Sequence, residues 1–289
     1  FALAGGVNRY GTRVDDSANV YDAYTLETII RQASLKAALS TALSDRHRLS
    51  YGLEVTGYAL DRGNMAPLNA ESLKQEQSLG TETALEPSLW VSDLWTPGDK
   101  FSLEFGTRLS SYLALDPAKF YAMPELRLSG KYSFTPNFSL KGGVNTMNQY
   151  IHMVSNTTTV TPMDSWKLSD GDIRPQQGWQ AAGGAYWTVD GGKIDLSLES
   201  YLKRMYNYLD YKAGATLIMN PDLAQALVET TGKAYGVEFI VRKPLGKLNG
   251  WISYTWSRTL LKEMHESGMA TINRCELYPA ACDKPHDMK

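Results

Sequence analysis

The chain has 289 residues, among them 24 Gly, 17 Tyr and 7 Trp, with 43% apolar residues and a formal charge of −2 at pH 7. That composition excludes a disordered chain, and no run approaches the roughly 20 apolar residues that a membrane helix needs, so any embedding in lipid must use strands. Lys and Arg are scattered without forming a stripe, which leaves nucleic acid no electrostatic footprint.

The start, Phe1-Ala-Leu-Ala-Gly-Gly6, has neither an initiator Met nor a basic leader, which predicts a beginning internal to a longer precursor. In chain order, strands are predicted over about 1–11, 29–43, 48–60, 78–95, 101–112, 121–134, 138–152, 176–189, 193–208, 234–244 and 248–261. The fifth shows the pattern well. Phe101, Leu103, Phe105, Thr107 and Leu109 alternate with Ser102, Glu104, Gly106, Arg108 and Ser110, so one face is greasy and the other polar. Ile194, Leu196 and Leu198 likewise oppose Asp195, Ser197 and Glu199. Tyr235, Val237, Phe239 and Val241 oppose Gly236, Glu238 and Arg242, with Ile240 breaking the polar face, and Ile252, Tyr254 and Trp256 oppose Ser253, Thr255 and Ser257.

The connectors alternate between two lengths. Ser44-Asp-Arg-His47, Thr96-Pro-Gly-Asp-Lys100, Thr135-Pro-Asn137, Asp190-Gly-Gly-Lys193 and Leu245-Gly-Lys247 are short and rich in turn formers. Those at about 12–28, 61–77, 113–120, 153–175, 209–233 and 262–289 are long and polar. Soluble sandwiches have shorter strands and no such alternation, whereas outer-membrane barrels have short periplasmic turns, long outer loops and strands that are apolar outside and polar inside. The predicted class is therefore an all-β, antiparallel transmembrane barrel. Single-chain bacterial barrels have even strand counts, so eleven strands predict one partial barrel domain over 1–289, truncated at both ends.

Cys275 and Cys282 offer no CxxC or second pair, so a zinc site is not expected, while a small disulfide loop fits an oxidising space. His47, His152, His265 and His286 are isolated, no GxSxG elbow occurs, and acid pairs such as Asp15-Asp16 read as solvated loop charges. Neither a catalytic residue nor a metal nor a cofactor is predicted. Gly5-Gly6, Gly142-Gly143 and Gly183-Gly184 read as strand glycines without a phosphate-binding pattern. Trp90, Trp95, Tyr112, Tyr186, Trp187, Trp251 and Trp256, near strand ends, are expected as interface anchors. A short helix is expected over 220–229, with Asn220 as cap and Pro221 at its first position.

Four stretches in order carry a resemblance. Leu89-Trp-Val-Ser-Asp-Leu-Trp95 with 101–108 forms the first. Pro124-Glu-Leu-Arg-Leu-Ser-Gly-Lys-Tyr132 with 138–144 and Gln149-Tyr-Ile-His-Met153 forms the second. Asp172-Ile-Arg-Pro-Gln-Gln-Gly-Trp179 with 198–206 forms the third. Gly232-Lys-Ala-Tyr-Gly-Val-Glu-Phe239 with Gly250-Trp-Ile-Ser-Tyr-Thr-Trp-Ser257 forms the fourth, and Asp283-Lys-Pro-His-Asp287 follows. Together they resemble the central barrel of TonB-dependent outer-membrane receptors, especially the Bacteroidetes type, although Gln176-Gln177 stands where that family usually has Glu. The resemblance implies an outer-membrane importer of a siderophore, vitamin, glycan or peptide, driven through TonB, with a plug domain inside about twenty-two strands. Its implied partners are the lipid bilayer, the plug, TonB, an extracellular substrate and a surface lipoprotein lid. On that reading Glu104, Arg108, Asp195, Glu199, Glu238 and Arg242 line the lumen against the plug. Trp166, Tyr206, Tyr208 and Tyr211 are ligand candidates on outer loops, and the loops 153–175, 209–233 and 262–289 capture substrate. A passive porin and a structural or assembly barrel are the alternative readings.

Overall fold

A computed structural model describes residues 1–154, 165–212, 215, 219–244 and 246–263. Eleven long strands follow one another: β1 (Ala2–Asp16), β2 (Tyr24–Ser44), β3 (His47–Pro67), β5 (Thr81–Gly98), β6 (Phe101–Leu115), β7 (Ala118–Thr135), β8 (Phe138–Gln149), β11 (Gln176–Val189), β12 (Ile194–Tyr211), β13 (Leu227–Lys243) and β14 (Gly250–Glu263). Each pairs antiparallel with its neighbour in sequence, and a two-residue strand, β4 (Gln77–Ser78), adds to β3. Among the described residues this sheet is open, with β1 and β14 as its edges. A separate hairpin, β9 (Ile151–Val154) with β10 (Ser165–Leu168), lies between β8 and β11.

Register turns the sequence alternation into two continuous faces. Phe105, Leu128, Val144, Ala181, Leu202 and Tyr235 form one row across six strands. Tyr132, Leu140, Ala185, Leu198, Phe239 and Tyr254 form another on the same side. Phe105, Leu128, Leu198 and Tyr254 are bare on this face. In water such a surface would be untenable, and in lipid it is the solvated side. No helix among the described residues is long and apolar enough to cross a membrane.

The long connectors are shorter than polarity suggested. The expected loop at 113–120 is a hairpin, with Leu115 paired to Ala118. β1 and β2 cover much of 12–28, β3 extends to Pro67, and β12 and β13 reach into 209–233. The ladder needs no apolar side chains once strands leave the lipid, so polar hairpins continue beyond the alternating segment. The helix expected over 220–229 is one turn, α1 (Leu223–Ala226), preceded by Asp222, whose N–H donates to Asn220 Oδ1 at 2.9 Å. A single turn gains few hydrogen bonds for the residues it fixes, and pairing with β12 takes over at Leu227.

Both buried clusters lie against the β9–β10 connector. One joins Ile30, Leu60, Ala84, Tyr112, Ala114, Tyr150 and Leu168. The other joins Val154, Ile173, Leu209, Leu223 and Leu227.

Candidate functional site

The face opposite the greasy rows carries the charge. Ser102, Lys131, Lys141, Gly184, Glu199, Glu238 and Thr255 form one row. Glu104 belongs to the next, with Leu94, Ser129, Gly143 and Ala182. Arg108 stands between Trp90 and Glu125, and Asp195 between Thr188 and Arg242. Glu104, Arg108, Asp195, Glu199, Glu238 and Arg242 thus share one side of the sheet.

Their local chemistry differs. Arg108 is already held by the wall, with Nη1 3.4 Å from Glu54 Oε2 and Nη2 3.6 Å from Glu86 Oε1. Tyr58 donates its hydroxyl to Glu86 Oε2 at 2.7 Å. Asp195 accepts from Thr188 Oγ1 at 2.9 Å. Glu199 and Glu238 sit directly opposite one another, two carboxylates side by side. Lys36, Trp90, Ser92, Glu104, Arg108 and Arg127 line a cavity of about 510 Å³ on this face. Lys36 Nζ lies 5.7 Å above the Trp90 ring, and that ring lies over Gly52, where an added Cβ would meet Trp90 Cζ2 at 2.9 Å.

The aromatic residues divide by parity. Trp95, Trp187 and Trp256 fall on the greasy face, paired with Leu103, Leu196 and Val237. Trp90, Tyr112 and Tyr186 do not, which corrects their reading as interface anchors. Trp90 lines the polar cavity, Tyr112 is buried against Tyr150, and Tyr186 lies under Lys141 with Nζ 4.2 Å from its ring. Trp251 pairs with Arg242 and belongs to the same side. Position near a strand end does not set the face, because a shift of one residue reverses it.

Tyr206, Tyr208 and Tyr211 were expected on a loop and stand on β12, since the ladder with β13 continues above an irregularity between Met205 and Tyr208. Tyr211 donates its hydroxyl to Val154 O. Trp166 is on β10, edge-on to Tyr10 with ring centroids 6.1 Å apart. Cys275 and Cys282, and most of the 262–289 loop, lie outside the described residues.

Sequence reasoning passed over the wall's own partners, Glu54, Glu86, Tyr58 and Glu125, although Glu54 and Glu86 sit at polar positions of alternating runs. It also missed Lys167, Glu82 and Asp170, which meet across 85 residues of sequence. Nothing in the local sequence around Lys167 signals that meeting.

The family model described as TonB dependent receptor-like, beta-barrel, matches residues 3–273. Among solved structures, the FrpB iron transporter of Neisseria meningitidis is similar at a TM-score of 0.65 and 10% identity, covering 93% of this chain and 43% of its own. The copper transporter OprC gives 0.64 at 11% identity, with 92% and 47% covered. The pyoverdine outer-membrane receptor FpvA of Pseudomonas aeruginosa, solved with pyoverdine, gives 0.56 at 14% identity, with 92% and 42% covered. The chain therefore spans less than half the length of these structures. A comparison with curated protein sequences finds no match.

Proposed function

We propose that this chain, which belongs to the TonB-dependent receptor family and lies in the outer membrane of a Gram-negative bacterium, forms roughly half the wall of an active nutrient importer. The observation that carries the reading is the two-faced sheet of eleven long strands inside a family match over 3–273, greasy on one side and charged on the other. The greasy face meets lipid. The charged face lines a lumen too wide to be left open, which a plug elsewhere in the receptor fills. Glu104, Glu199, Glu238, Asp195 and Arg242 are assigned to the plug-facing surface, and Arg108 to it only in part, because Glu54 and Glu86 already hold its guanidinium. Substrate is captured at the long-connector end, where Trp166 and Tyr208 are candidate contacts, and a surface lipoprotein is a candidate lid.

The cargo of FrpB, OprC and FpvA, by their names and titles iron, copper and pyoverdine, motivates the probes. Uptake of a ferric siderophore panel and of copper by cells carrying the full receptor should collapse on adding a protonophore and on deleting TonB. Uptake of any of them that persists undiminished under both treatments would mean a passive channel instead.

A further inference from the structure

Among the described residues, the most deeply buried stretch flanks a connector. Tyr150, His152, Val154, Leu168 and Ser169 are each at most 2% exposed, whereas connectors ordinarily run over the surface. In the β9–β10 hairpin Lys167 is paired with His152 on the buried side, and Trp166 with Met153 on the other.

Beside this connector the sheet has a split. β7 pairs with β6 from Tyr132 opposite Phe101 up to Ala118 opposite Leu115. Its pairing with β8 runs only from Thr135 opposite Phe138 to Arg127 opposite Asn145. Beyond Asn145, β8 continues with β11 alone, ending at Gln149 opposite Gln176. The first β7 position beyond Leu126 whose N–H would point at β8 is Pro124, which has none. Side chains stand in for the ladder. Leu126 N–H donates to Thr146 Oγ1 at 2.8 Å, and Asn148 N–H and Nδ2 donate to Glu125 Oε1 at 3.1 and 3.3 Å.

The connector is tied to both sides of this seam. Lys167 Nζ pairs with Glu82 Oε1 at 2.6 Å and with the Asp170 carboxylate, and Leu168 N–H donates to Glu82 Oε2 at 3.0 Å. Tyr112 on β6 donates to Ser169 O at 2.9 Å and Tyr121 on β7 donates to Asp170 O at 2.6 Å. Tyr150 stacks on Tyr112 with centroids 4.6 Å apart. From the other side, Asn207 Nδ2 on β12 donates to Pro175 O at 2.9 Å, and Tyr211 donates to Val154 O.

We propose that residues 150–154 and 165–175 form a strap that holds the β7–β8 seam shut from inside the lumen, with Lys167 as its lock. Releasing the lock opens a lateral port in the wall beyond Arg127 and Asn145. The cation sits between two largely buried carboxylates, so its removal leaves Asp170 facing Glu82 with no cation of its own, while Arg62 Nε stays 3.4 Å from Glu82 Oε1. The proposal rests on the charged face being the lumen, but its readout does not depend on transport.

The test is hydrogen–deuterium exchange on the full receptor in lipid nanodiscs, with Cys275 and Cys282 changed to Ala. Lys167→Met should speed exchange about tenfold at Leu168 and Ile173 in the strap, and also at Leu126 and Asn148 across the seam, leaving mid-strand amides of β11 and β12 unchanged. Leu126→Cys with Thr146→Cys, at the two positions joined by the 2.8 Å bond from Leu126 N–H to Thr146 Oγ1, places a disulfide over the seam. In the Lys167→Met background it should restore slow exchange at Asn148 but not at Leu168. Should Lys167→Met fail to fold, Tyr121→Phe removes a single tie and should move the same amides in the same direction. Faster Leu168 exchange with unchanged Leu126 and Asn148 overturns the strap as the seam's closure, and unchanged Leu168 overturns the lock.

Discussion

His152 is fully buried, with Nε2 2.8 Å from Ser169 Oγ and Nδ1 without a partner. Burial, reinforced by the Lys167 ammonium, lowers its pKa from 6.5 to about 4. A histidine whose folded pKa is depressed contributes stability above its unfolded pKa and loses it as pH falls. Strap docking should therefore weaken by about 1.4 kcal/mol per pH unit between roughly 6.5 and 4. Asp170 acts in the same direction at lower pH. Its burial opposes ionisation, but the Lys167 ammonium and the Ile173 and Asp172 N–H groups outweigh that and hold its pKa below the usual value. Relative to the intrinsic amide rate at each pH, protection of Leu168 should fall between pH 7.5 and 5 in the wild type and much less in His152→Gln. An equal loss of protection in both would remove His152 from the account. Little of this was legible locally: His152 reads as an isolated histidine and Lys167 carries no signal within the 153–175 loop, because Glu82 comes from β5 and Ser169 meets His152 only once the connector has folded back on itself.

The strands themselves were legible, because a period of two needs only local sequence. All eleven were predicted, and the errors lie at their ends, where lipid no longer imposes the alternation and hairpin hydrogen bonding alone extends β6–β7 and β12–β13. The inward course of β9–β10 was not legible, since it depends on a seam between two strands. Within the strands, face decides tolerance. Leu128 lies in the row of Phe105 and Val144, and Arg127, beside it in sequence, points to the opposite side with Asn145. Leu128→Arg should cost about 2–4 kcal/mol of barrel stability by placing a charge in lipid, whereas Arg127→Leu should cost little. Urea unfolding in liposomes, followed by tryptophan fluorescence, measures both. Equal penalties would mean that the two faces have been assigned wrongly.

At the scale of the whole molecule, the open sheet presents its charged face to whatever fills the lumen, and the charges on it are not equivalent. Reversing Arg108 places a carboxylate beside Glu54 and Glu86, so Arg108→Glu should cost the wall about 2–3 kcal/mol whether or not a plug touches it. It is a poor probe of the lumen. Glu238 is a better one. Its neighbour across the ladder is Glu199, so Glu238→Lys exchanges a like-charge contact for an opposite one, and the wall should lose no stability. Any functional change then belongs to a contact beyond the sheet. If the plug presents a cation there, Glu238→Lys should raise the sensitivity of cells to large antibiotics several-fold while leaving the amount of folded receptor in the outer membrane unchanged, as judged by heat-modifiable electrophoretic mobility. Unchanged sensitivity would take Glu238 off the plug-facing surface, and the same measurement on Glu104→Lys would then show whether that surface lies closer to the Trp90 cavity.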